Sequence, residues 1–188
     1  AHYFGGEPWA TEIHDQMLAA YNAGKGFLRV TPGLPMADIL LGIRFQLDLY
    51  INFRPCRLYD ARLCPLKGKS PADIDFTIFR ENTEGSYVGI GGFLKKGTPD
   101  EVAIQEEINT YKGVERICRA AFEWAVANGK KKVLMADKSN VMRYGHDLWQ
   151  RVFFGLAKEF PSIAASHMFV DALCMQMVRA PEQFEVIV

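Results

Sequence analysis

The chain lacks three features: a net charge, a long apolar run and paired cysteines. Its 22 lysine and arginine residues balance 22 aspartate and glutamate residues. Nucleic-acid-binding domains are usually distinctly basic, so we expect no nucleic-acid partner. A membrane-spanning helix needs about 18 or more apolar residues in a row, and no segment approaches that length, so we expect no membrane partner. The four cysteines are scattered without a CxxC spacing, which is typical of reduced thiols and favours a cytoplasmic protein.

The chain does contain enough apolar sequence for a folded core. Hydrophobic residues make up 49% of its 188 residues, which excludes a disordered chain and supports one domain or slightly more. Apolar periodicity predicts helices over residues 112–127, 146–160 and 171–179 and strands over residues 74–81 and 131–137. The alternation of strands and helices predicts an α/β fold.

The stretch from about residue 86 to residue 110 predicts a two-stranded β ribbon. Two β-like runs, SYVGIGGFL and EVAIQEEINT, are joined by the turn KKGTPD, which contains Gly97 and Pro99. A ribbon of two strands has little core of its own, so its apolar residues must pack on something else. Pairing with the ribbon of a second copy would bury them, and we therefore expect a homodimer.

Both ends of the sequence have the pattern of a structural element that continues. The last residues, EVIV, form an apolar strand pattern without a following turn. At the other end, AHYFGG has the pattern of a strand that enters a Gly-rich loop. We therefore expect the chain to be part of a longer protein.

Three arginines that lie among apolar residues or at the ends of elements are candidates for binding an anion. They are Arg44 in LLGIRFQLDLY, Arg54 in INFRP and Arg80 in FTIFRENTEG. A guanidinium group grips a carboxylate or phosphate through two parallel hydrogen bonds. For any one of these arginines alone, a structural salt bridge is the simpler interpretation. The three together favour a small polyanionic ligand.

Three further residues allow both a structural and a chemical interpretation. Tyr87 in the Gly-rich ribbon is either a packed edge residue or a general acid near the guanidinium groups. Lys138 follows a buried strand, where α/β proteins place their chemistry, and is either a solvated loop residue or a base. Asp171 is either a helix N-cap or an oxygen ligand for Mg²⁺. His146 and His167 show no ligand spacing and receive no role.

The order and spacing of four motifs resemble one enzyme family. The motifs are LLGIRFQLDLYINFRP, DIDFTIFRENTEGSYVGIGG, ADKSNV and FVDALCMQMVRAPEQFEVIV. Over residues 38–188 the chain resembles the β-decarboxylating dehydrogenases, which include isopropylmalate, isocitrate, homoisocitrate, tartrate and D-malate dehydrogenases. The segment ENTEG and the helix that begins VDALCM are most similar to the tartrate/D-malate and isopropylmalate branch.

For the substrate, the resemblance implies that Arg44, Arg54 and Arg80 bind the carboxylates of a malate-type hydroxy acid. An isocitrate-binding member would be expected to present polar groups to the third carboxylate in the helical turn before Arg44, where this chain has Leu40 and Leu41. Leaving that carboxylate unpaired is costly, so we expect D-malate, tartrate or an alkylmalate to be preferred over isocitrate.

For the chemistry, the resemblance implies that Tyr87 protonates the enol left by decarboxylation. Lys138, which would reach in from the second subunit, would take the proton of the substrate hydroxyl. Asn140 would lie near the nicotinamide end of NAD, which accepts the hydride. Asp171, also from the second subunit, would be one of three aspartates around a Mg²⁺ or Mn²⁺ ion that polarises the hydroxyl.

Other parts of the family pattern are missing from the sequence: the Gly-Asp motif with two more metal aspartates, the opening GDGIG-type turn and the adenosine-binding loop. We therefore assign residues 36–188 to the central substrate-binding and dimerisation region of an isopropylmalate-dehydrogenase-like fold, with a protruding β arm at about residues 86–110. Residues 1–35 would be a remnant of the nucleotide-binding domain.

Two functions stay open at this point. The first is an NAD- and Mg²⁺- or Mn²⁺-dependent oxidative decarboxylase of a small hydroxy-dicarboxylate, working as a homodimer and inactive as the isolated chain. The second is a non-catalytic fragment that only dimerises or binds a dicarboxylate.

Overall fold

The computed structural model describes Gly42 and residues 44–188 of the chain. The chain falls into two compact units, Ala1–Leu49 and Tyr50–Val188. The sheet, the three helices and the ribbon described below all belong to the second unit.

Five strands form the main sheet, and two more form a separate ribbon. The strands of the sheet are β1 (Ile51–Arg57), β2 (Asp75–Glu81), β5 (Lys132–Asp137), β6 (Ala164–Phe169) and β7 (Val186–Ile187), and those of the ribbon are β3 (Gly91–Leu94) and β4 (Val102–Gln105). Across the sheet the order is β1-β2-β7-β5-β6. β1 is antiparallel to β2, whereas β2, β7, β5 and β6 run parallel to one another. The carboxyl ends of those four strands therefore meet along one edge of the sheet.

Within residues 50–188, three helices connect the strands: α1 (Tyr111–Ala127), α2 (Arg143–Ala157) and α3 (Val170–Arg179). The predicted helices are confirmed, although α2 begins and ends three residues earlier than its apolar pattern suggested. It begins early because the N–H groups of Val141 and Met142 already donate to the Lys138 carbonyl, both at 2.9 Å. Among the described residues, no helix is long and apolar enough to cross a membrane.

The core lies on both faces of the sheet. Neighbouring residues of a strand point to opposite faces, and Val133 and Leu134 of β5 accordingly belong to different apolar clusters. Val133 packs in the cluster that contains Phe122 of α1 and Phe153 of α2, and Leu134 in the cluster that contains Leu173 of α3. Helices therefore cover both faces of a mostly parallel sheet, and the predicted α/β class is confirmed.

The predicted two-stranded arm is also confirmed, as the antiparallel pair β3 and β4. The two strands approach closely, since a Cβ atom at Gly91 would lie 2.2 Å from the Ile104 carbonyl oxygen, so only glycine fits there. The residues Phe93, Leu94 and Ile104 are 60%, 61% and 54% exposed. A ribbon with this much exposed apolar surface has no core of its own.

Candidate active site

A cleft of about 550 Å³ lies at the carboxyl ends of β2 and β5. Its walls include Arg80 from the end of β2 and Tyr87 from the turn that follows. They also include Asp137 from the end of β5 and His146 from the first turns of α2. In open α/β sheets, ligands bind outside the carboxyl ends of the strands, so this cleft is the candidate active site.

Two of the predicted arginines, Arg54 and Arg80, are joined through two asparagines. The antiparallel register places Asn52 opposite Arg80. Arg54 Nε donates to Asn52 Oδ1 at 2.7 Å, and Asn52 Nδ2 donates to Asn82 Oδ1 at 3.1 Å. Arg80 Nη2 donates to the same Asn82 oxygen at 3.2 Å. The two guanidinium groups therefore belong to one hydrogen-bond network at the edge of the sheet.

Arg80 also contacts Tyr87, whose ring centroid lies 5.3 Å from the guanidinium carbon. The short 3₁₀ turn Ser86–Val88 carries Tyr87, and Gly85 and Gly89 flank it, each with a φ angle of 69° that favours glycine. The Nε atom of Arg80 is buried and makes no hydrogen bond to the described residues. A buried N–H without a partner is costly, and a carboxylate entering the cleft would satisfy it.

The predicted residues nearest the amino terminus belong to the first unit, whereas this network belongs to the second. Arg44 belongs to the first unit, where its carbonyl accepts from the Leu49 N–H at 2.9 Å. Leu40 and Leu41 lie outside the described residues. Their predicted roles, and the grouping of Arg44 with the other two arginines, stay predictions.

Lys138 and Asp171 form a second group, because the Lys138 ammonium and the Asp171 carboxylate make an ion pair. Asp171 lies in the first turn of α3, and its carboxylate binds Lys138 instead of capping the helix. Neither residue lines the cleft that contains Arg80 and Tyr87. Asn140 is exposed in the turn between Lys138 and α2. Within one chain, Arg54, Arg80 and Tyr87 thus form one group, and Lys138 and Asp171 form another.

The turn that carries Lys138 is held by the buried carboxylate of Asp137. This carboxylate accepts from the Ser139 N–H at 2.9 Å and from Gln150 Nε2 at 3.1 Å, and His167 Nε2 lies 2.8 Å from it. Burial opposes ionisation, but the hydrogen bonds from Ser139, His167 and Gln150 outweigh it and hold the pKa of Asp137 below its ordinary value. Asp137 is therefore an ionised anchor at the end of β5.

Sequence reasoning missed Asn52, Asn82, Asp137 and His146. A signal existed for the asparagines: each lies two residues from a predicted arginine on the same strand or at its end, and such residues share a face. His146 had no such signal. It accepts from the Lys138 N–H at 2.6 Å, a contact that depends on how the turn after β5 folds back on α2.

The donors that a metal ion would need are present only in part. No group of three or more His, Cys, Asp or Glu side chains in the part of the chain that the structure describes is arranged to hold a metal. The Asp171 carboxylate is the hard oxygen donor that Mg²⁺ and Mn²⁺ prefer, but Mg²⁺ takes about six oxygen ligands. Asp171 can therefore supply one ligand of a site that other groups complete.

The chain is similar to known enzymes along most of its length. The 3-isopropylmalate dehydrogenase of Thermobifida fusca is 43% identical over 175 residues, which are 93% of this chain and 49% of that protein. The D-malate dehydrogenase [decarboxylating] of Escherichia coli is 43% identical over 187 residues, or 97% of this chain and 52% of that protein. The crystal structure of isocitrate dehydrogenase from Methylococcus capsulatus superposes with a TM-score of 0.76 at 33% identity, covering 93% of this chain and 51% of that one.

The chain spans about half the length of the relatives it matches. Residues 14–188 match the family model for isocitrate/isopropylmalate dehydrogenase. The family predicted from the four ordered motifs is thus confirmed, and this chain belongs to the isocitrate/isopropylmalate dehydrogenase family.

Proposed function

We propose that the protein catalyses the NAD- and Mg²⁺- or Mn²⁺-dependent oxidative decarboxylation of a malate-type 2-hydroxy acid such as tartrate, D-malate or 3-isopropylmalate. Membership of the family supports the reaction class. The observation that carries the proposal is the pair of Arg80 and Tyr87 in the cleft. There, a buried guanidinium N–H without a partner among the described residues lies beside a phenol that can donate a proton.

In this proposal Arg54 and Arg80 bind the carboxylates of the substrate. Asn52 and Asn82 already hold both guanidinium groups, so little reorganisation is needed when the substrate enters. Arg44 would supply a third guanidinium. A guanidinium fork suits carboxylates because it offers two parallel N–H donors.

The proton transfers fall to Lys138 and Tyr87. Lys138, as the neutral amine, takes the proton of the substrate hydroxyl while the hydride leaves the carbon that carries this hydroxyl, and the ammonium group that results is the form that pairs with the Asp171 carboxylate. The oxidised acid carries a carbonyl group β to a carboxylate, so breaking the bond to that carboxylate releases CO₂ and leaves an enolate. Tyr87 then donates its phenolic proton to the carbon that lost CO₂, and the carbonyl group forms again.

Asn140 and Asp171 are the residues of this chain that would meet the bound cofactors. Asn140 is exposed and would contact the nicotinamide end of NAD, and Asp171 would supply one metal ligand. When bound, NAD supplies the hydride acceptor and the metal supplies positive charge beside the hydroxyl oxygen.

The separation of the two residue groups supports a homodimer in which each active site contains residues of both subunits. Lys138 and Asp171 do not line their own chain's cleft, so they are available to complete the cleft of a second copy. Apolar side chains for such an interface are exposed on the ribbon and along one stripe of α3, which contains Val170, Cys174 and Val178. Symmetric pairing would bury these surfaces on both copies.

The remaining assignments follow the same proposal. Residues 36–188 would form the substrate-binding and dimerisation domain, with its arm at about residues 86–110, and residues 1–35 would belong with the nucleotide-binding domain. The cysteines of the described residues, Cys56, Cys64, Cys118 and Cys174, are free thiols, which supports a cytoplasmic location.

An assay of the protein at its full natural length tests the proposal. With NAD and Mg²⁺ or Mn²⁺, we expect NAD reduction and CO₂ release from D-malate, tartrate or 3-isopropylmalate, and loss of both after chelation with EDTA. At least one of these acids should show a higher kcat/KM than isocitrate, because Leu40 and Leu41 offer no partner to a third carboxylate. The 188-residue chain alone should be inactive, since Asp171 is a single metal ligand.

Two results would contradict these expectations. A folded full-length protein that reduces NAD with none of the four acids would favour the non-catalytic alternative, for which calorimetry would show dicarboxylate binding without turnover. A higher kcat/KM for isocitrate would overturn the argument from the two leucines.

A further inference from the structure

A chain of hydrogen bonds runs from the foot of the ribbon to the backbone of Lys138. The Lys138 N–H donates to His146 Nδ1 at 2.6 Å, and His146 Nε2 lies 3.2 Å from Glu107 Oε1. Glu107 comes two residues after β4 ends. The side chains of His146 and Glu107 are only 16% and 24% exposed, so water competes little for these contacts.

The carboxylate of Glu107 is held in place from the other side. Asn109 Nδ2 donates to Glu107 Oε1 at 2.9 Å, and Trp149 Nε1 donates to Asn109 Oδ1 at 2.8 Å. A Cβ atom at position 145 would lie 2.5 Å from Asn109 Nδ2, so Gly145 permits this approach. Trp149 of α2, acting through Asn109, therefore fixes the position of the Glu107 carboxylate, and this carboxylate in turn holds the His146 ring.

The partners of His146 define its protonation. A backbone N–H can only donate, so Nδ1 facing Lys138 must carry a lone pair. The ring is then neutral, its proton lies on Nε2, and that proton points to the Glu107 carboxylate. Each ring nitrogen has the partner that suits it.

We propose that His146 is a positioning residue that sets the backbone of Lys138, and that Glu107 fixes the His146 ring in the required tautomer. The inference rests on the proposed function, in which Lys138 is the base. The hydrogen bond to His146 fixes the backbone of Lys138 and therefore the point from which its side chain extends. Asp171 binds the ammonium group at the other end, so the two contacts together define the path of the side chain. A displacement of about 1 Å in a reacting group can cost about 100-fold in rate, which is why a backbone contact matters for turnover.

Three substitutions at one position separate this role from a general structural one. In His146→Asn, the amide oxygen can occupy the place of Nδ1 and accept from the Lys138 N–H. In His146→Gln, the longer amide reaches toward Glu107 but leaves the Lys138 N–H without its acceptor. His146→Ala removes both contacts. Asp147→Asn is the control, since Asp147 is exposed and pairs with Arg151 at 2.7 Å on the same helix.

In the full-length protein we expect His146→Ala and His146→Gln to lower kcat by about 10- to 100-fold with little change in KM. His146→Asn and Asp147→Asn should stay within a few-fold of the wild type. If His146→Asn is as slow as His146→Gln, the acceptor role at Nδ1 is wrong.

Hydrogen exchange at the Lys138 amide gives a readout that needs no activity. This amide should exchange faster in His146→Ala and His146→Gln than in the wild type and should stay protected in His146→Asn. Unchanged protection in His146→Ala would overturn the inference. An inactive wild-type protein would instead overturn the proposed function, and the exchange rates would still decide whether His146 holds the Lys138 turn.

Discussion

Replacing Lys138 with alanine is expected to lower turnover by about 10²- to 10⁴-fold, while KM changes far less. Lys138 is the group proposed to take the hydroxyl proton, and proton transfer contributes to the transition state more than to substrate binding. Its ammonium pairs with Asp171, and its N–H is fixed by His146. These two contacts restrict the Lys138 side chain to one position, which reduces the reorganisation needed for proton transfer.

Tyr87→Phe should lower turnover by about the same factor, because it removes the proton donor of the second proton transfer. The ring would keep its contact with Arg80, so the substitution removes the hydroxyl group and little else. Tyr59→Phe is a matched control, because Tyr59 is exposed and does not line the cleft. Steady-state kinetics of the full-length protein measures both effects. Near-normal turnover in Lys138→Ala or Tyr87→Phe would remove the role assigned to that residue.

Arg80→Gln is expected to lower kcat/KM by about 10- to 100-fold, because charge-assisted hydrogen bonds to a carboxylate contribute about 1.5–3 kcal/mol. Arg80 lies in the wall of the cleft, and its buried Nε–H makes no hydrogen bond to the described residues. Glutamine keeps polar atoms near Asn82 but removes the charge and the guanidinium fork.

Arg57→Gln is the control for that substitution. Arg57 lies at the far end of β1 from Asn52 and stacks 5.8 Å from the centroid of Tyr59, outside the cleft. It should retain the wild-type kcat/KM. Equal losses in Arg80→Gln and Arg57→Gln would show that the effect is a general consequence of removing positive charge, and would contradict carboxylate binding by Arg80.

Most of the fold could be predicted from the sequence, because each helix and strand is determined by residues that lie close together in the chain. The apolar face of α1 recurs at helical spacing, Thr110 caps the helix and Gly129 ends it with a positive φ angle. The ribbon could also be predicted, from two β-like runs joined by a turn that contains Gly97 and Pro99. The bounds of α2 differed from the prediction at both ends, and its start lies earlier because the Lys138 carbonyl begins the helical turn before the apolar pattern does.

The candidate site could be predicted only in part from the sequence, for a physical reason. Charged residues in unusual places, such as Arg80 and Lys138, stand out in a sequence because burying or isolating a charge is costly. The residues that hold them do not stand out. His146 meets Glu107 across 39 residues, and Asn52 meets Asn82 across 30, and both contacts exist only once the chain has folded.

We propose that each active site combines Tyr87 of one subunit with Lys138 of the other. Mixing two inactive proteins, Tyr87→Phe and Lys138→Ala, tests it directly. After joint dissociation and reassociation, each mixed dimer would contain one site with both native residues and one site with neither.

Random pairing puts about half of the subunits into mixed dimers, so about one quarter of the wild-type activity should return. Each variant treated alone in the same way is the control and should stay inactive. If each site instead used Tyr87 and Lys138 of the same chain, every site in the mixture would keep one defect. The absence of any recovered activity in dimers shown to have exchanged subunits would therefore contradict the shared active site.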